Sequence, residues 1–204
     1  MPRSAAANQE LRDASRARIL DAALTLFAGR GYASTPVDAI VAAAGISPGL
    51  LYHYFPSKLD LLRAIFETSM TDVKASFAAA DAAPAPADRL AALLRAAASI
   101  VKQRRRFWAL SYGVRMQREV LSALGPDVFA WTAEIHRVLE RYLGEAGWPN
   151  PAHEALLLFA QIDGLHQHYV LDPDRYPVDA LTERLVERYR TPPTAARQTR
   201  KRTR

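Results

Sequence analysis

Thr35-Pro36-Val37-Asp38-Ala39-Ile40-Val41-Ala42-Ala43-Ala44-Gly45-Ile46-Ser47-Pro48-Gly49-Leu50-Leu51-Tyr52-His53-Tyr54-Phe55 contains two helix starts and one helix stop within 21 residues. Thr35 followed by Pro36 predicts an N-cap and a first helical position, with Asp38 acidic in the first turn. Val37, Ile40, Val41 and Ala44 then fall on one face. Gly45 ends the helix. Ser47-Pro48 repeats the start signal at once, opening a second short helix with Leu50, Leu51 and Tyr54. Two short helices joined by Gly45-Ile46-Ser47 have the geometry of a helix-turn-helix. The three alanines 42–44 permit close packing, and Ile46 can plug the corner.

Upstream, Ile19, Ala22, Ala23, Leu26 and Phe27 recur at i, i+3, i+4, i+7 and i+8, one face of a helix from about Ser15 to Arg30. Residues 1–14 read as a flexible polar, Ala-rich arm. Downstream, Ser57 with Asp60 three residues on opens a long helix to about Ala80. Pro84 and Pro86 mark a linker over Asp81 to Asp88. The rest is helical to about Arg190, with breaks near Gly125-Pro126, Gly147 to Pro151 and Asp172 to Pro177. No segment alternates with period two, and no internal repeat is found. The fold class is all-α. The expected units are an arm (1–14), a reader (15–58), a helical body (59–190) and a disordered basic tail (191–204).

The separated positions agree in register with a known pattern. Arg18-Ile19-Leu20-Asp21-Ala22-Ala23 runs to Phe27, followed by Gly31-Tyr32, Thr35 and Ile40. Then come Ala43-Ala44-Gly45-Ile46-Ser47, Gly49, Leu51-Tyr52-His53-Tyr54-Phe55-Pro56-Ser57-Lys58 and Leu61-Leu62. This stretch resembles the N-terminal domain of the TetR/AcrR family of bacterial regulators, over about residues 15–66. The later helices resemble that family in number and length.

The resemblance implies that the second short helix reads DNA. Pro48, Gly49 and Leu50 would occupy its base-facing start, Leu50 against a thymine methyl. Tyr52 and Tyr54 match positions that touch the sugar-phosphate backbone. Lys58 matches a phosphate-binding lysine. Thr35 matches a backbone-contacting hydroxyl or serves only as a cap. Ser47 is mainly a cap, and His53 reaches base or phosphate. Asp38 stands near where the family often has a base-reading basic residue, and no contact is assigned to it. With so few hydrogen-bonding side chains on the reading helix, DNA shape contributes to specificity.

The resemblance further implies an Ω-shaped homodimer paired through helices at about 151–171 and 178–189, on a palindromic operator. Leu156, Leu157, Phe159, Ala160 and Leu165 give the first of these helices an apolar surface wider than one side needs. A small hydrophobic or aromatic effector would sit in the body. Phe107, Trp108, Tyr112, Met116, Phe129, Trp131 and His136 are the candidate lining, each also readable as core. Arg104-Arg105-Arg106 reads as a solvated helix start or turn.

Composition sets the remaining bounds. The net charge is +6, but its distribution matters more. Residues 1–58 carry 6 Lys/Arg against 4 Asp/Glu, residues 59–190 carry 16 against 17, and residues 191–204 carry 5 against 0. The excess sits in the tail, where Arg197 to Arg204 could reach DNA through counterion release. There are no cysteines, which excludes disulfides, thiolate metal sites and cysteine nucleophiles. No apolar run approaches the ~18 residues needed to cross a bilayer. The first ten residues lack a signal-peptide core. A cytoplasmic protein without a cofactor is expected.

Gly45-Ile46-Ser47-Pro48-Gly49 has the letters of the G-x-S-x-G hydrolase elbow. That elbow needs a strand before the serine and a backbone N–H after it. Here a helix precedes Ser47, and Pro48 has no N–H. His166 and His168 diverge on a helix, and His166 with Asp163 makes only two ligands, so a structural or pocket-polar role is expected. The alternative to a regulator is a dimeric helical binding module without sequence-specific DNA contact.

Overall fold

The computed structural model describes residues 5–125 and 127–193. Those residues form α1 (Ala5–Arg30), α2 (Val37–Ala44), α3 (Pro48–Tyr54), α4 (Lys58–Asp81) and α5 (Pro86–Gln103). They continue as α6 (Arg105–Arg115), α7 (Arg118–Leu124), α8 (Asp127–Glu145), α9 (Pro151–Leu171) and α10 (Val178–Arg190). The described residues contain no strand. None of their helices is long and apolar enough to cross a membrane.

The α2–α3 corner forms as its chemistry dictates. Gly45 takes φ 63°, a left-handed conformation that costs a residue with a Cβ about 1–2 kcal/mol. Its N–H donates to the Ala42 carbonyl, and the Ile46 N–H donates to Val41, a Schellman closure. Ser47 caps α3, its hydroxyl oxygen accepting from the Leu50 N–H at 3.3 Å. Ser57 caps α4 twice over. It accepts from the Asp60 N–H at 3.1 Å and donates to the Asp60 carboxylate at 2.7 Å. That hydroxyl, with Arg63 at 3.0 Å, holds the Asp60 carboxyl below the usual carboxylate range.

Three expectations are corrected. The first helix begins at Ala5, not near Ser15, so residues 5–14 are helical rather than a loose arm. The segment holds Ala, Gln, Glu, Leu and Arg without glycine or proline, and such residues carry a helix on propensity. Gln9 donates to Asp13 one turn on. Second, α2 is capped by Pro36 without a side-chain bond, so Thr35 is not its cap. Third, the body has a further break, at Met116-Gln117, that no glycine or proline announces, while the start expected at Arg104 to Arg106 is the start of α6. Of the tail, residues 194–204 lie outside the described residues.

The core is built in two parts. Ile19, Ala23 and Phe27 of α1 pack with Ile40 of α2, Leu51 of α3 and Leu61, Leu62 and Ile65 of α4. The same cluster runs on through Phe66 and Met70 of α4 to Phe107, Leu110 and Val114 of α6. The second cluster joins α5, α8, α9 and α10 around Leu94, Leu139, Tyr142, Leu158 and Tyr189. The helix-turn-helix therefore shares its core with α6, well inside the body.

Candidate nucleic-acid interface and effector cavity

Leu51 and Phe55, four residues apart, anchor α3 in the core. The opposite side of α3 is left to solvent. Pro48, Gly49 and His53 are exposed, Leu50 is half-buried, and Tyr52 is 51% exposed. A Cβ on Gly49 would meet nothing within 4 Å, so the helix start is open to close approach. Tyr54 is half-buried, with its ring edge-on to His53 at 5.5 Å and tilted against Phe55 at 6.4 Å. Ser47, also exposed, spends its oxygen on the cap.

Lys58, at the start of α4, donates to the Ala33 carbonyl at 3.2 Å. Its ammonium lies over the Tyr32 ring at 4.6 Å. Burial lowers its pKa from the ordinary value. An ammonium has three donors, and this carbonyl takes one of them. Thr35 is placed differently from the rest. It is 0% exposed, and its hydroxyl donates to the Gly31 carbonyl at 2.8 Å and lies 3.3 Å from that of Leu26. Thr35 fastens the α1–α2 turn from within and is not on the exposed surface that α3 presents. Arg16 of α1 lies over the Phe55 ring at 5.4 Å, at the far end of α3.

A cavity of about 60 Å³ lies among α4, α5, α6, α8 and α9. Of the sequence candidates, Trp108, Tyr112 and Trp131 line it. Phe107 is buried beside it but packs edge-on to Phe66 at 5.3 Å. His136 packs edge-on to Phe159 at 4.7 Å, behind the wall. Met116 is 85% exposed in the α6–α7 turn and takes no part, because the unforeseen break turns it out of the body. The Phe129 side chain lies outside the described residues.

The remaining wall comes from residues that the sequence did not single out for a pocket, among them Phe159, which it placed on the dimer-facing surface of its helix. Val73 and Phe77 of α4, Leu93 and Ile100 of α5, and Phe159 and Ile162 of α9 complete it. Asp163 and His166, expected to be structural or pocket-polar, lie on the wall and add polarity to it. Arg115 reaches the Asp163 carboxylate from α6 with two hydrogen bonds, one of 2.9 Å. Tyr112 lies beneath the same guanidinium, and burial pushes its hydroxyl far above the ordinary phenol range. Cavity walls and packed core share one helical apolar period, so no sequence signal separates them.

The cavity is wired to the reader by two helices. Phe77 and Val73 sit on α4, whose start carries the Ser57–Asp60 cap. Trp108 and Tyr112 sit on α6, whose Arg106 donates to the Thr25 hydroxyl of α1 at 2.7 Å. Beside the cavity an open groove of about 720 Å³ shares Phe77 and Trp131 with it and is rimmed by Arg63, Lys74, Glu134 and Arg137.

Comparison with known proteins adds the lineage. Residues 19–65 match the family described as "Bacterial regulatory proteins, tetR family". The HTH-type transcriptional repressor KstR2 of Rhodococcus jostii is 45% identical over 58 residues, 28% of each chain. Such matches span about a quarter to two fifths of the length of the curated relatives. A TetR-like transcriptional regulator from Rhodococcus sp. RHA1 superposes with TM-score 0.75 at 24% identity, covering 93% of this chain and 96% of that one. FadR from Bacillus subtilis, in complex with stearoyl-CoA, gives TM-score 0.71 at 20% identity, covering 84% and 96%. At these identities the structures speak for the fold, and the matched segment is the helix-turn-helix with its flanking helices. Residues 19–65 of this chain thus match the tetR family of bacterial regulatory proteins, and the chain as a whole shares the fold of a TetR-like regulator.

Proposed function

We propose that this protein represses transcription by binding a palindromic operator as a homodimer, and that a small hydrophobic effector releases it. The observation that carries the reading is the combination in one chain of an exposed reading helix and a buried apolar cavity, joined by α4 and α6. Pro48, Gly49 and Leu50 would meet base edges, with Tyr52, His53, Tyr54 and Lys58 around them on the phosphates. The repressor KstR2 supports repression, and the FadR complex with stearoyl-CoA supports a ligand with an apolar portion in this fold.

For dimerisation, α9 offers Leu156 and Leu157, 50% and 56% exposed, with exposed Ala160 on the same helix. Large exposed leucines on one helix call for a partner, and a second α9–α10 pair would complete a four-helix bundle.

Release follows from the size of the cavity. At about 60 Å³ it holds only a few water-sized groups, so a bulkier ligand must displace its walls. Moving Phe77 shifts α4, and moving Trp108 shifts α6 with its Arg106 tether on α1. Either motion changes the spacing of the two reading helices. The coupling is reciprocal, so operator weakens effector binding by the same factor.

The test pairs variants with a dimer control. Tyr52→Ala should weaken operator binding roughly tenfold, as loss of one charge-assisted contact does. Lys58→Ala should lower the slope of log affinity against log salt by about one. Both variants should remain dimers by sedimentation. Unchanged operator binding in both would remove these residues from the interface.

A further inference from the structure

The Trp108 indole nitrogen and the Tyr112 hydroxyl are buried, and among the described residues no group hydrogen-bonds either of them. Their side chains are only 7% and 8% exposed, stand one turn apart on α6 with ring centroids 6.0 Å apart, and both line the cavity. A buried polar group without a partner is costly, and such groups in a ligand site are normally answered by the ligand. An indole N–H can only donate, so the answering group must be an acceptor.

The charges nearby argue against an ionic ligand. Asp163 is the charged residue on the cavity wall, and an anionic head group would face its carboxylate. Arg115, the cation paired with Asp163, is already held by both of its oxygens. His166 adds no charge at neutral pH, since burial pushes its imidazole down to about 4. A cationic ligand would compete with Arg115 for one carboxylate while lying among Phe77, Ile135 and Ile162.

We infer that the cavity selects an uncharged ligand, an apolar ring or short chain bearing one hydrogen-bond acceptor such as a carbonyl, held by Tyr112 and Trp108. This rests on the reading of the cavity as the effector site. The site discriminates by penalty as well as by attraction. A hydrocarbon leaves both donors unanswered, and a carboxylate of the same size must be desolvated beside Asp163.

Three one-ring probes separate the cases: acetophenone, ethylbenzene and benzoate, titrated into the full-length dimer and followed by tryptophan emission. Acetophenone should bind, with benzoate weaker by about a hundredfold or more. In Tyr112→Phe, acetophenone affinity should fall about three- to tenfold, and ethylbenzene affinity should not. The same substitution removes an unpartnered hydroxyl, so the variant should melt at the wild-type temperature or above. Acetophenone binding that ignores Tyr112→Phe, or benzoate binding above acetophenone, overturns the inference and leaves the effector reading standing. If no probe binds while operator binding is intact, the inference and the effector reading both fail.

Discussion

Burial drives the His166 imidazole down to about 4, with the Asp163 charge pulling weakly the other way. Between the ordinary histidine value near 6.5 and that figure, the unfolded chain takes a proton that the folded one refuses. Stability contributed by the neutral ring is therefore full above about pH 6.5 and drains away as pH falls toward 4. Between pH 7 and pH 5 the loss should be about 2 kcal/mol in urea unfolding. His166→Asn should flatten that slope; an equally steep variant would place the acid sensitivity elsewhere. Thr35 carries a second residue-scale prediction. Thr35→Val keeps the shape and removes the hydroxyl bonded to Gly31, at a cost of about 1–2 kcal/mol. Operator affinity, measured well below the melting point, should not change. A loss of affinity at full stability would return Thr35 to the interface. The sequence could not separate these roles, because a threonine before a proline fits a cap, a DNA contact and an inward bond equally well.

Among the elements, those closed by local chemistry were the most legible. Ser47, Pro48, Ser57 and Gly45 each act on backbone groups within a few residues, so their effects are written where they stand. Gly45→Ala should cost about 1–2 kcal/mol through its left-handed φ alone, read by thermal or urea unfolding. No clash adds to that figure, since a Cβ there meets nothing within 4 Å. A neutral result would mean that the corner rearranges. The ends of α9 and α10 were legible for the same reason, with Pro151 opening one and Asp172-Pro173 closing it. The start of α1 was not, because residues 9–14 are exposed and leave no apolar stripe to read. At the α5–α6 break, Arg104-Arg105-Arg106 was legible as a helix start or turn, but the direction that α6 takes from it was not. Its cause is tertiary: α6 turns to lay Phe107 on Phe66 and Arg106 on Thr25. Nothing within a few residues of Arg104 records those partners.

At the scale of the molecule, reader and body are not separate units, because one core runs from Ile19 through Phe66 to Val114. A boundary placed at residue 58 by sequence divides the chain in the middle of that core. The α6 tether then becomes a test of coupling rather than of binding. Arg106→Ala removes the bond to Thr25 on an exposed surface, so fold, operator affinity and effector affinity should each stay near wild type. The factor by which effector weakens operator binding should shrink about two- to tenfold. An unchanged factor would assign transmission to α4 alone.

The central claim is that this chain reads a DNA sequence with paired copies of α3. Its most direct test is selection of bound DNA from a random duplex library by the purified dimer. The account predicts enrichment of a palindrome, with Tyr52→Ala and Lys58→Ala weakening binding to the selected site. A confirmed dimer that enriches no sequence at low salt would contradict it, and would leave a helical binding module whose helix-turn-helix reads no sequence.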